Sequence, residues 1–420
     1  MTSMRRLGLD ELQDVFPPRE AAVRLWPYHG TAGAGTVFGA AGQLIFVLTK
    51  MSARRGGVLQ YMYSFNTVHV GCGERLLYVA MADAGSMADA DEDASYKAWK
   101  VERRQATAAF DIEVWYESLA PLTFQTAFVP IDPAEAEACI TMYGASFLNR
   151  RKATADEVRR VKDLEEKLRT AMAAMAEDAG FFVRLSTRSP KDAAMPSMQA
   201  YESEAARRTH EDEPADIDGA VNAKMRAFFE VGVQALRVRD ASAAMDLLLS
   251  SERVSRDLHD AAAAGVLGEM KVAIRRWEAG LRQEYEFRAF VRAGVLTAIT
   301  QYNPYCFYPE QVAARDELLA TVHTFWKEHI APAVAQSYVD YVVDVAILAD
   351  GACRVIELNP FERQTGGGLF NWHDPTDKAL LESGPLSLRL ATRPPPNLQA
   401  TLEVFVNELP CEGEFHAYRR

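Results

Sequence analysis

The sequence predicts an α+β fold built on antiparallel sheets, from three observations. Asp350-Gly351 is a two-residue hairpin signal flanked by the strand-like runs YVVDVAIL and ACRVIELNPF. EYEFRAFVRAGVLTAITQYN reads as a second hairpin that turns near Ala293-Gly294. Elsewhere strands are followed by helices, and hairpins rather than βαβ units dominate.

The elements follow in chain order. Residues 1–105 read as a β-rich N-terminal extension, with GQLIFVLTK, GVLQYMYSFNTVHVG and RLLYVAMA as strands between glycine-rich turns. GTAGAGTVFGAAG (30–42) lacks the GK[ST] ending of a phosphate loop and reads as turn glycines. The acidic MADADEDAS (87–95) reads as an exposed loop or linker. From Phe110, FDIEVWYESLAPLTFQTAFVPI reads as two strands ending at Pro130. Residues 152–176 form the clearest helix. Thr154 and Glu157 make a capping box, and Val158, Val161, Leu164, Leu168, Met172 and Met175 recur at steps of three and four.

FFVRL is a buried strand after Gly180, and residues 186–219 are polar enough to predict a flexible insertion or lid loop. Helical pattern returns at 220–237 and in MDLLLSSERVSRDLHDAA. MKVAIRRW is a strand, a helix spans about 309–333, PLSLRLA is a late strand, and Pro394 to Pro396 break the chain. The expected division is 1–105, 106–270 with the insertion, and 271–420.

Composition limits the function. The 420 residues carry a net charge of −12, which argues against general nucleic-acid or membrane-surface binding. The five cysteines include no CxxC pair, so neither a disulfide framework nor a cysteine zinc site is indicated. The N-terminus lacks the apolar core of a signal peptide, and no run approaches the ~18 apolar residues of a spanning helix. A reducing, cytoplasmic setting fits. The eight histidines form no HExxH cluster, and there is no GxSxG elbow.

The chemistry gathers in the first hairpin. Pairing Ala349 with Ala352 about the turn sets Asp344 directly opposite Glu357, with Asn359 on the same face. Two carboxylates and an amide oxygen make a hard site suited to Mg²⁺ and nucleotide phosphates. The alternative is an ordinary hairpin with solvated acids. FFVRLSTRSPKDA sets Arg184, Arg188 and Lys191 among hydroxyls, which suits polyphosphate or else a solvated basic loop. MKVAIRRWEAG leaves a strand edge into Arg275, Arg276 and Trp277, where free backbone groups could meet an adenine. Glu286, Arg288 and Phe290 share one strand face, with Glu286 opposite Gln301, and Arg288 is a phosphate contact or a partner of Glu286. The glycines of TGGGLFNW (365–372) allow close backbone approach to a ligand, or simply turn the chain.

In the order FDIEVWYESLAPLTFQTAFVPI, FVRLSTRSPKDA, LLSSERVSRDL, KVAIRRW, EFRAFV and VDVAI…VIELNPF…LFNW, the chain resembles the cell division cycle protein 123 family. That family is a divergent branch of the ATP-grasp superfamily, and the resemblance runs from about Phe110 to near Arg393. It implies an ATP-grasp fold, two lobes with antiparallel sheets clamping nucleotide, plus the N-terminal β-rich extension. It implies ATP and Mg²⁺ as cofactors, with the metal held by Asp344, Glu357 and Asn359. Arg288 would contact the terminal phosphates and is the candidate catalytic residue. Arg275, Arg276 and Trp277 would line the adenine hinge, and Arg188 and Lys191 would join the phosphate contacts. Arg184 stands where the family usually has a phosphate-binding lysine, a departure that keeps the charge but changes its shape.

The implied function is assembly of translation initiation factor two, with a subunit of that factor as the protein partner. The alternative is an ATP-dependent ligase that forms an acyl-phosphate and passes the acyl group to an amine or thiol, or a phosphotransferase.

Overall fold

The structure is a computed structural model and describes residues 44–55, 58–69, 94–148, 150–175, 179–212, 216–407 and 409, with side chains from residue 98 onward. It divides into two compact units, Met1–Ala90 and Asp91–Arg420.

In the first unit, β1 (Leu44–Arg55) and β2 (Val58–His69) pair antiparallel from Leu44 opposite His69 to Arg55 opposite Val58. These are two of the three strands expected there. RLLYVAMA, the glycine-rich 30–42 and the acidic 87–93 lie outside the described residues. Ala94 and Ser95 open the helix Ala94–Thr107, which belongs to the second unit.

The second unit holds two sheets. One comprises β3 (Thr126–Pro130), β4 (Phe181–Leu185), β5 (Arg237–Val238) and β6 (Lys271–Arg276), in the antiparallel order β3-β6-β4-β5. The other comprises β7 (Glu286–Arg292), β8 (Val295–Gln301), β9 (Tyr341–Ile347), β10 (Cys353–Pro360) and β11 (Ser387–Arg389), in the order β10-β9-β7-β8-β11. The α+β expectation holds. The short β11 adds one parallel edge to an otherwise antiparallel sheet.

Each sheet has its own core. Val183, Leu185, Val272 and Ile274 pack with Leu164, Leu168, Leu248 and Leu258 from helices Ala155–Met175, Ala241–Ser250 and Glu252–Ala263. Phe287, Ala289, Val343 and Val345 face Val322, Trp326 and Ile330 from the helical run 315–334. Alternation along β7 sends Glu286, Arg288 and Phe290 to the opposite face, as the period of two requires. Phe290 meets Phe370 and Trp372 there. The capping box forms as read: Glu157 accepts from Thr154 N, and Thr154 Oγ1 accepts from Glu157 N.

Two expectations are corrected. Ile112–Leu119 is a helix, not a strand; Ile112, Trp115 and Leu119 are buried while Val114 is exposed. Spacings of three and four are helical, and the aromatic, β-branched composition masked them. The polar stretch after β4 is not all loop. Ser197 caps a helix Met198–Glu211 that buries Tyr201, Ala205 and Arg208, and a second helix begins at Ile217. Arg208 is buried beside Glu204, Glu230 and Glu284, so its charge is paired rather than solvated.

Candidate functional site

Asp344 does stand opposite Glu357, but by a different route from the simple register. The turn has three loop residues: Leu348 N donates to Ala352 O, Gly351 N donates to Leu348 O, and Gly351 takes φ +82°. That left-handed position suits glycine. The register is therefore offset by one from Ile347 opposite Cys353 to Val345 opposite Val355, and a bulge at Ile356 restores it.

The bulge carries the contact between the two sheets. A bulged residue drops out of the ladder, and the Ile356 carbonyl accepts from Arg275 Nη1 at 2.7 Å. Arg275 Nη2 donates to Thr123 Oγ1 at 2.7 Å, and Thr123 Oγ1 donates to Val355 O at 2.7 Å. One residue further, Glu357 Oε2 accepts from Arg184 Nη1 at 2.5 Å. Arg184 Nε and Nη2 donate to the carbonyls of Leu185 and Thr187, which fixes the guanidinium plane. Burial, with Arg184 nearby, pushes Arg275 down to about 9.

On the neighbouring strands Arg288 grips Asp344 with two prongs, Nε to Oδ1 at 2.8 Å and Nη2 to Oδ2 at 2.7 Å. Its Nη1 donates to Gly366 O at 2.6 Å. The glycines thus let backbone approach Arg288. A Cβ on Gly367 would run into the Phe370 carbonyl, and one on Gly368 (φ +60°) would sit 2.5 Å from Thr300 Cγ2. Asn359 Nδ2 lies 3.4 Å from Asp344 Oδ2. Burial pushes the Asp344 carboxyl up, while Arg288 opposes the rise. Burial lowers the Arg288 guanidinium, yet Asp344 lifts it above its ordinary value. The two prongs decide for an ion pair, because a neutral carboxyl would turn a hydroxyl donor towards an arginine donor. Burial also raises Glu357, but Arg184, Lys191 and Arg288 outweigh it and hold the carboxyl well below its usual range.

Glu286 completes the face. Burial, with Asp344 and Glu357 adding, lifts it to about 7 against the pull of Lys191. Its expected partner Gln301 instead faces Phe287, because a bulge at Val291/Phe290 shifts the second hairpin by one residue. Tyr302 N therefore donates to Glu286 O at 2.9 Å. Tyr302 is the site residue that the sequence reading missed. Its hydroxyl accepts from Lys191 Nζ at 2.9 Å, and its ring centroid lies 5.0 Å from Arg288 Cζ. Partial desolvation of its ammonium lowers Lys191, but Tyr302, Glu286 and Glu357 outweigh that and raise it, while the stem stays exposed.

The structure thus gathers Arg184, Lys191, Arg288, Asp344, Glu357 and Asn359, with Arg275 beside them. Arg188 is elsewhere: Asp257 accepts from its Nε at 2.9 Å and also from its Nη2. Burial, then Arg253 and Arg256, pushes Arg188 down to about 10. The strand edge expected before Trp277 is not an edge, since β6 is paired on both sides. Arg276 N donates to Gln125 O and Trp277 N to Gly180 O. Trp277 packs on the core of the first sheet, with Arg237 5.8 Å from its ring. Arg288 pairs with Asp344 in place of Glu286.

Among the described residues no three His, Cys, Asp or Glu side chains form a metal-binding group, and no helix is long and apolar enough to cross a membrane. A cavity of about 600 Å³ lies elsewhere, lined by Tyr201, Ala205 and Lys224.

The comparisons with known proteins agree with the sequence resemblance. Residues 227–412 match the family model D123. The matched stretch includes Arg275, Arg276, Trp277, Arg288, Asp344, Glu357 and Asn359; Arg184, Arg188 and Lys191 precede it. A curated relative from Xenopus tropicalis, described as "Translation initiation factor eIF2 assembly protein", is 29% identical over 104 residues, 25% of this chain. The alignment spans 30% of that relative's length. The solved structure of Cdc123 from Schizosaccharomyces pombe aligns with a TM-score of 0.44 at 17% identity, covering 70% of this chain and 97% of that one. A C-terminally truncated form of it aligns with a TM-score of 0.44 at 18% identity, covering 67% and 95%.

Proposed function

We propose that the chain is an ATP- and magnesium-binding clamp of the ATP-grasp type that serves as an assembly factor for translation initiation factor two. The observation that carries the nucleotide half is the charge set on the facing strands. Arg184 pairs with Glu357 and Arg288 with Asp344, and Lys191, Arg275 and Glu286 lie around them, four cations against three acidic side chains. The D123 match and the description of the Xenopus relative support the assembly half.

The donor set fits a magnesium nucleotide. Asp344 and Glu357 are opposed cross-strand carboxylates, and Asn359 contacts Asp344 through its amide nitrogen, which leaves the amide oxygen for a ligand. Mg²⁺ is ordinarily held by one or two carboxylates together with nucleotide phosphates, so a group of three protein acids is not needed. Each carboxylate is neutralised by an arginine. Anionic phosphates would draw Arg184 and Arg288 and release the carboxylates to the metal. Bound magnesium supplies charge neutralisation along the phosphates. Arg184 presents a rigid fork, and Lys191 a mobile point charge.

Calorimetric titration with ATP and ADP, with and without Mg²⁺, tests the nucleotide half. Magnesium-dependent binding that weakens by about tenfold or more in Glu357→Gln supports it; no binding of either nucleotide removes it. Pull-down with each purified subunit of translation initiation factor two tests the assembly half, and retention of none of them removes that.

A further inference from the structure

We propose that Tyr302 is a positioning residue that holds Lys191 beside Arg288 so that the two cations bind neighbouring phosphates of a linear polyphosphate. The inference rests on the nucleotide reading above. Lys191 lies in the segment after β4, and Arg288 lies on β7 of the other sheet. Tyr302 meets both. Its hydroxyl accepts from Lys191 Nζ at 2.9 Å, the Lys191 ammonium is 4.9 Å from its ring centroid, and Arg288 Cζ is 5.0 Å from it. Tyr302 is itself fixed by its backbone bond to Glu286 O.

The two cations differ in how they are held. Arg288 is also anchored by Asp344 and Gly366 O. Among the described residues the Lys191 ammonium hydrogen-bonds Tyr302 alone, on an exposed and flexible stem. Without the hydroxyl, its rotamers would have to be ordered by the ligand itself. The donor count sets the ligand class. A lysine has three N–H donors and an arginine five; after the bonds above, each keeps two. Four donors on two centres that meet one tyrosine can serve more oxygens than a single phosphate presents on one side, which favours two neighbouring phosphates. The ring also favours cations on its face.

The test uses inorganic tripolyphosphate as the probe in EDTA, measured by calorimetry on the full chain. This removes both the base and the metal. Tyr302→Phe keeps the ring and removes the anchor, and should weaken binding roughly three- to tenfold. Lys191→Met should weaken it similarly, and Tyr302→Phe added to Lys191→Met should change little more, since both remove one contact. Tyr302→Leu should be weaker than Tyr302→Phe. Unchanged affinity in Tyr302→Phe, or additive losses in the double variant, overturns the proposal. Should Tyr302→Leu not fold, the Phe/Met cycle still decides, because it leaves the packing of the ring in place. Binding of Mg·ATP without any binding of tripolyphosphate overturns the Tyr302 role and leaves the clamp standing. The coupled cycle with no preference for ATP over tripolyphosphate removes the nucleotide reading and leaves the Tyr302 role. Binding of neither removes both.

Discussion

Replacing Asp344 by Asn isolates the central ion pair. The substitution keeps the shape of the side chain. Asp344 is fully buried at 0% exposure, and both its oxygens accept from Arg288, at 2.8 and 2.7 Å. An amide retains one acceptor and turns two N–H donors towards either the Arg288 fork or Asn359 Nδ2. The local balance changes from four cations against three carboxylates to four against two. Breaking a buried pair from one side costs about 3–5 kcal/mol, because a buried charge is left uncompensated. The same change at Asp340 provides the comparison. Its pair with Arg292 lies at 41% and 40% exposure, so Asp340→Asn should cost at most about 1 kcal/mol. Equilibrium urea unfolding of the three proteins in metal-free buffer measures both. A loss below 1 kcal/mol for Asp344→Asn would refute the buried pair and the arrangement built on it.

Other perturbations reach neighbouring parts of the site. Arg275→Met removes the donors to Ile356 O and Thr123 and should cost about 2–4 kcal/mol, read by the same unfolding assay; a neutral result would mean that the bulge does not need the guanidinium. Glu286 is raised from 4.5 to about 7, so the folded chain holds its proton more tightly than the unfolded chain does. That contribution is fully present below 4.5 and is lost as pH rises through about 7. Relative to Glu286→Gln, the wild type should therefore lose about 3 kcal/mol across that window; parallel stability profiles of the two proteins would contradict it. Gly367→Ala should destabilise by about 1–3 kcal/mol, since its Cβ meets backbone that cannot swing away; an unchanged melting temperature would show that the loop adjusts freely.

Much of the site was legible because β-hairpins encode contacts locally. Asn359 on the face of Glu357, and Arg288 on one face with Glu286 and Phe290, follow from a period of two, and Asp344 meets Glu357 as expected although the hairpin reaches that pairing irregularly. The residues that stayed hidden depend on irregularity. Tyr302 was obscured because the second hairpin carries a bulge, and a shift of one residue changes which side chains face each other. The Arg275 contact was hidden because nothing local announces that Ile356 leaves the ladder. The helix at Ile112–Leu119 was misread because Ile, Val, Trp and Tyr favour strands while their burial follows a helical period.

The Asp344–Glu357 register succeeded through two offsets that cancel. The three-residue turn slips the pairing by one, and the bulge at Ile356 slips it back. The cancellation has a structural consequence. An ideal two-residue turn would deliver the same carboxylate pair but would keep the Ile356 carbonyl within the ladder, leaving Arg275 without that acceptor. The irregular hairpin achieves both: it opposes two carboxylates and turns a backbone carbonyl towards the other sheet. Val355, Ile356 and Glu357 are then each engaged from that side, by Thr123, Arg275 and Arg184. A ligand that drew Arg184 away from Glu357 would act directly on one of these three contacts, and would thereby couple its own binding to the join between the sheets through a single strand.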